Sequence, residues 1–292
     1  MGYLLLCFSA FLLSLNFAAT KFYQSRYGNT LQTGLIFNVL SGLITAVVFF
    51  PFIEVGNLAG WFSIGMVVLQ TVFIVSYTLI GFQLMEKGTV ALYTMALMTG
   101  GMLVPYFYGM AFLNESVYWV NLLGVMVIVI AMVLMNAGEE KLNKRNVFLL
   151  ACVFLINGGT SIVTKVHQTS ELATFGTLEY IWFSGVARAG LSAAILPFLK
   201  EQNRERREEN GLLKSAFLFV VPILASVALD KLSLGLQLVG AKTTPATMMF
   251  PIISGGTVAF TAMVSFALFR EQLSKKSIVA LVICLIGTLL FV

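Results

Sequence analysis

The chain has 292 residues, of which 59% are hydrophobic and only 11% charged, with a mean hydropathy of +0.92. A water-soluble domain carries roughly 25% charged residues, so this chain has too little polar surface to cover a core in water, and the lipid bilayer is the expected partner. The net charge of +5 does not indicate nucleic acid. The 18 Lys and Arg fall mostly between apolar runs, as in the cytoplasmic loops of membrane proteins.

A hydrocarbon core of about 30 Å takes about 20 apolar residues as helix. Apolar runs predict spans over 2–20, 31–53, 61–85, 90–113 and 117–136, then over 147–164, 178–198, 215–238, 245–269 and 276–292. The expected fold is therefore all-α and membrane-embedded, with about ten transmembrane helices. The first run, GYLLLCFSAFLLSLNFAAT, lacks a basic leading region and is expected to be a mature span, not a signal peptide. The longest polar stretch, Lys200 to Lys214, mixes both charges and is expected to form a short solvated helix stopped near Gly211. Cys7, Cys152 and Cys284 lie inside apolar runs, which argues against a disulfide framework and for small core residues.

The two halves of the chain echo each other. TKFYQ at 20–24 matches TKVHQ at 164–168, and the segment ending VVFFPF at Phe52 matches the one ending AAILPF at Phe198. GFQL at 81–84 matches GLQL at 235–238, KGTVA at 87–91 matches KTTPA at 242–246, TGG at 99–101 matches SGG at 254–256, and LNES at 113–116 matches FREQ at 269–272. The offset grows from 144 to 156, as it does when loops lengthen between collinear elements. The expected organisation is a repeat of five helices over 1–138 followed by a second over 139–292. An odd number of spans per copy inverts the second copy, which places a shared cavity near the membrane midplane.

Orientation follows from the basic residues. Loops after spans 1, 3, 5, 7 and 9 hold 14 Lys and Arg, whereas those after spans 2, 4, 6 and 8 hold only Lys165 and Lys242. The positive-inside rule then puts both termini outside the cytoplasm of a multi-pass protein of the inner (plasma) membrane. Trp61, Trp119 and Trp182 all fall near the outer face, as interfacial anchors would.

These features resemble the drug/metabolite transporter superfamily, specifically its EamA-type members. Residues 15–21, LNFAATK, resemble the end of that family's first helix. LNESVYWVNLLGVMVIVIAMVLM and FREQLSKKSIVALVICLIGTLLF resemble its glutamate, polar turn and glycine-bearing helix at the end of each half. The resemblance spans the chain. It implies a carrier in which helices 1–4 and 6–9 surround the cavity and helices 5 and 10 are peripheral, with export as the usual direction. Members usually carry basic residues after helix 2 and have cytoplasmic termini; here that loop reads EVGNLAG, and the charge count gives the opposite orientation.

Ionisable groups inside hydrocarbon are costly and mark candidate sites. Arg188 lies about ten residues from each end of its span, too deep to reach an interface. It would hold a carboxylate or phosphate through paired donors, or pair with Asp230 to stabilise the bundle. Asp230 is the one acid well inside a span; lone, it would be a proton-coupling group, and paired with Arg188 a fixed charge. Lys231, one residue on and turned by about 100°, is expected to face elsewhere, toward the outer interface. Asn16, Gln70, Tyr77, Tyr93, Asn157 and Thr247 are further candidates for substrate binding; Asn16 aligns with Thr160, and Asn38 with Ser184. The alternative for each is a hydrogen bond to a neighbouring helix.

Gly100–Gly101, Gly158–Gly159 and Gly255–Gly256 are expected to permit close helix packing, with local unwinding as the alternative. Pro105, Pro245 and Pro251 mark kinks or starts in spans 4 and 9. Glu115 and Glu271 correspond in the two halves and read as interfacial caps or ion-pair partners, and His167 as a satisfied interfacial histidine, with a proton relay as the alternative. Catalytic residues, metal ligands and cofactors are not expected: an intramembrane aspartyl protease needs two buried acids, and neither a Cys/His metal spacing nor a phosphate-binding glycine loop is present. The expected function is a secondary transporter of small organic metabolites, amino-acid-like or amphipathic, with a homodimer possible. The alternatives are a non-transporting membrane scaffold or an intramembrane enzyme.

Overall fold

The computed structural model describes residues 2–28, 30–54, 56, 60–86, 90–113, 115, 118–136, 144–199, 212–269 and 275–291. Ten helices form among them, and no strand: α1 (Gly2–Tyr27), α2 (Leu31–Phe49), α3 (Trp61–Glu86), α4 (Val90–Phe112), α5 (Trp119–Asn136), α6 (Lys144–Thr169), α7 (Thr177–Ile195), α8 (Leu212–Thr243), α9 (Ala246–Phe269) and α10 (Lys275–Leu289). Glu271 and most of the 200–214 stretch lie outside the described residues.

Seven described helices are long and apolar enough to cross a membrane; the corresponding apolar stretches of α4, α5 and α10 are shorter, at Ala96–Phe112, Trp119–Ala131 and Ile278–Leu289. The outward faces are apolar too, with Leu4 77% exposed, Val47 73% and Phe148 67%. Water would not tolerate that belt, and hydrocarbon does. The chain is a multi-pass membrane protein.

Several helices run past the apolar stretch that nucleates them. Span 6 was expected to stop at 164, yet α6 continues to Thr169 through Lys165 and His167, and α8 runs to Thr243 past its expected end at 238. Local signals set the true ends. Gly28 adopts φ 80° and donates its N–H to Gln24 O at 2.7 Å, closing α1 with a left-handed residue that glycine adopts without strain. Thr30 caps α2 by accepting from Thr33 N at 3.2 Å. Both α2 and α7 finish in a three-residue 3₁₀ turn carrying proline, Phe50–Phe52 and Leu196–Phe198.

The packing has a regular pattern. α1 lies against α8 and α9, and α6 against α3 and α4, while α2 packs on α7, α4 on α9 and α5 on α10. The α2–α7 crossing is close enough that a Cβ on Gly42 would stand 2.6 Å from both Gly185 O and Ala189 N. The α4–α6 seam is equally tight, since a Cβ on Gly100 would collide with the Phe154 carbonyl and one on Gly158 with Val104. A Cβ on Gly255 would likewise collide with Thr288 Oγ1, so close helix packing is what all three expected glycine pairs provide.

Candidate functional site

A cavity of about 210 Å³ lies among α1, α3, α4, α6, α7, α8 and α9. Its polar walls are Gln70, Thr71 and Tyr77 from α3; Asn157, Thr160, Ser161 and Thr164 from α6; Ser184 and Arg188 from α7; Asp230, Lys231 and Gln237 from α8; and Ser254 and Thr257 from α9. Leu13 and Phe17 of α1, Leu97 of α4 and Phe250 and Ile253 of α9 supply apolar wall. α2 contributes nothing to the lining, unlike the arrangement the family resemblance implies, because its close crossing with α7 keeps it on the far side of that helix. No described residue of α5 or α10 lines the cavity.

Of the sequence candidates, Arg188, Asp230, Gln70, Tyr77 and Asn157 all face this cavity. Gln70 Nε2 donates to Thr164 Oγ1 at 2.8 Å, while its Oε1 is buried without a partner among the described residues. Asn157 Nδ2 donates to Leu97 O at 2.6 Å, so part of its bonding capacity is spent on helix α4. Ser161 Oγ donates to Gly101 O at 3.3 Å. That carbonyl is the one Pro105, four residues on, cannot serve with an N–H, so a neighbouring helix fills the vacancy the proline creates.

The remaining three candidates lie elsewhere. Asn16 Oδ1 accepts from Ser226 Oγ of α8 and from Thr20 Oγ1 at 3.5 Å, tying α1 to its neighbour. Tyr93 packs behind Tyr77, its ring against Gly81. Thr247 sits in the first turn of α9, where its N–H is capped by Glu115 and its Oγ1 is buried without a described partner.

The charge arrangement differs from expectation. Asp230 Oδ2 is 2.9 Å from Lys231 Nζ, with Lys231 5% exposed, so the counter-ion of Asp230 is its own neighbour and not Arg188. The 100° turn between adjacent helical positions does not keep the two apart, because the four-carbon lysine stem curls back across it. Lys231 therefore faces the cavity and not the outer interface. Arg188 makes no hydrogen bond or ion pair with any described residue, although it lies near enough to influence Tyr77, Asp230 and Lys231 electrostatically.

Just beyond the Thr164 and Gln237 side of the cavity, polar contacts cross-link one end of the bundle. Lys165 Nζ, 5% exposed, donates to Ala241 O and Thr244 O, both at 2.7 Å, capping the C-terminus of α8. Glu115 accepts from Ala246 N and Thr247 N, both at 2.8 Å, capping the N-terminus of α9. His167 Nε2 lies 2.9 Å from Ser63 Oγ, which also accepts from Thr174 N and Phe175 N, joining α3 to the α6–α7 connection. Glu179 Oε1 accepts from Glu54 N at 3.1 Å. Trp61 and Trp119, each 85% exposed, lie at this same end.

No family model and no curated protein matches the sequence. A protein of known crystal structure superposes with a TM-score of 0.73, covering 99% of this chain and 96% of its own at 11% identity. The overall architecture is thus shared with a known structure, and that likeness extends to the fold alone.

Proposed function

We propose that the protein is a secondary transporter of small organic metabolites, amino-acid-like or amphipathic, working by alternating access between two five-helix halves, 1–138 and 139–292, of inverted orientation. One observation carries the reading: a polar cavity holding Arg188, Asp230 and Lys231 lies among seven helices of a bundle whose outer face is apolar. Buried charge of this kind is costly in a membrane protein and serves a solute path more readily than structure.

The inverted repeat draws support from the packing. Exchanging α1–α5 for α6–α10 turns the α1–α8 contact into α6–α3 and α1–α9 into α6–α4, and returns α2–α7, α4–α9 and α5–α10 to themselves. The proline-bearing 3₁₀ turns close the same helix of each half. Likeness to the EamA-type drug/metabolite transporters rests on the motifs at 15–21, 113–135 and 269–291.

In the plasma membrane, with the tryptophan end outward and Lys21, Arg26, Lys144 and Arg145 at the cytoplasmic end, both termini face outside. The cross-linked end is then the extracytoplasmic gate, a resting state suited to loading from the cytoplasm and to export.

The test is a thermal-stabilisation screen of the purified protein against a metabolite library, followed by flux measurements in liposomes. At least one small organic solute should stabilise the protein and cross faster than in protein-free liposomes, and Arg188→Ala should cut that flux at least tenfold. A library in which nothing crosses above the protein-free rate would contradict the reading.

A further inference from the structure

We infer that the solute this site takes is a small organic monoanion: one carboxylate, with no ammonium group, on an apolar body. The inference rests on the carrier reading above and adds the charge of what is carried. Four titratable side chains line the cavity among the described residues: Tyr77, Arg188, Asp230 and Lys231. Tyr77 is a phenol and adds no charge near neutral pH.

Asp230 and Lys231, in contact at 2.9 Å, sum to zero whether the proton between them sits on nitrogen or oxygen. Guanidinium groups are always charged in proteins, and that of Arg188 has no counter-ion among the described residues. Among the described residues the cavity therefore holds one uncompensated positive charge.

An unpaired buried charge is expensive, and a ligand that neutralises it is favoured over one that does not. A monoanion brings the site to zero, with its carboxylate meeting the guanidinium through paired donors. A zwitterion leaves the excess in place, and its ammonium must either approach Arg188 or displace Lys231 from Asp230. A cation doubles the excess, and a dianion overshoots it. Leu13, Phe17, Ile74, Leu97 and Phe250 then face the remainder of the solute, which asks for an apolar body that fits about 210 Å³. Since the loaded site is neutral without a proton, each cycle carries one negative charge, and an inside-negative membrane potential drives it outward.

Leucine amide, leucine and N-acetylleucine share one side chain and carry one positive, zero and one negative net charge. In liposomes holding the full-length protein, N-acetylleucine should cross at least ten times faster than leucine, and leucine amide should not be carried. Efflux of N-acetylleucine should accelerate when a potassium gradient with valinomycin makes the interior negative. Lys231→Gln leaves Asp230 to neutralise Arg188, so preference should swing to leucine. Asp230→Asn leaves two positive charges, so N-acetylaspartate should gain on N-acetylleucine.

Leucine or its amide crossing the wild-type protein as fast as N-acetylleucine would overturn the inference, as would a flux indifferent to potential. Both readouts hold whether or not the variants fold. Should the metabolite library yield only neutral or cationic solutes, the charge assignment falls while the carrier reading stands; if nothing crosses, both fall.

Discussion

A methyl group on Gly100 would stand well inside contact distance of the Phe154 carbonyl, and α4 and α6 meet there backbone to backbone. Gly100→Ala should therefore cost about 1–3 kcal/mol through overpacking, read as a fall of several degrees in the melting temperature of the detergent-solubilised protein. Gly190, in α7, has nothing within 4 Å of where its Cβ would be. Gly190→Ala should leave the melting temperature unchanged or slightly raised, since alanine favours helix by up to about 1 kcal/mol. Equal losses at both positions would deny the α4–α6 seam its tightness.

At this scale the sequence was only partly legible. Depth and cost singled out Arg188 and Asp230, and both face the cavity. Lys231 was misplaced because helical angle describes where a Cβ points and not where a long ammonium ends. Asn16 and Thr247 looked equivalent to Gln70 and Asn157 in a one-dimensional reading, yet Asn16 serves an α1–α8 hydrogen bond and Thr247 lies in the first turn of α9, where its backbone N–H is capped by Glu115. The residues missed are Thr71, Ser161, Thr164, Gln237, Ser254 and Thr257; Ser161, Thr164, Gln237 and Ser254 lie four or seven positions from Asn157, Asp230 or Thr247, so extending those residues along their own helix faces would have found them.

The α8–α9 connection is the element most dependent on outside help. Its two helix ends leave backbone groups without partners inside either helix, and each end is served by one charged side chain, Lys165 on the carbonyls and Glu115 on the N–H groups. Glu115 comes from the α4–α5 connection and Lys165 from α6, so the turn is held from two directions. Glu115→Ala should destabilise the protein by about 1–2 kcal/mol, in line with other lost helix caps. Lys165→Met should speed hydrogen exchange in the last turn of α8 by at least tenfold while α2 and α7 stay protected. Unchanged exchange in α8 would mean that the lysine caps nothing that matters.

Hydropathy could not have foreseen these extended ends. It marks the slab in which residues must be apolar, whereas a helix continues as long as its terminal groups find partners, as Lys165 and His167 do within α6. Glu115 was legible as a cap from its place ahead of an apolar run, but its target was not, because the helix it caps is α9 and not the adjacent α5.

Across the whole molecule, the proposed inversion of the two halves implies a specific topology. Lys21, Arg26, Lys144 and Arg145 gather at the end opposite Trp61 and Trp119, so a reporter fused after Val292 should be active only when exported. A cytoplasmic reporter signal from that fusion would turn the molecule over and make the cross-linked end the inner gate.

The most direct trial of alternating access is the accessibility of one cavity position from each side of the membrane. Ser184 lines the cavity one turn from Arg188, and a Ser184→Cys variant in a background lacking Cys7, Cys152 and Cys284 provides the probe. A membrane-impermeant thiol reagent should label it both in right-side-out and in inside-out vesicles, and a transported solute should slow the reaction from each side. Labelling from a single side whatever solute is present, or from neither, would show a cavity that never changes the side it faces, and the carrier account would fail.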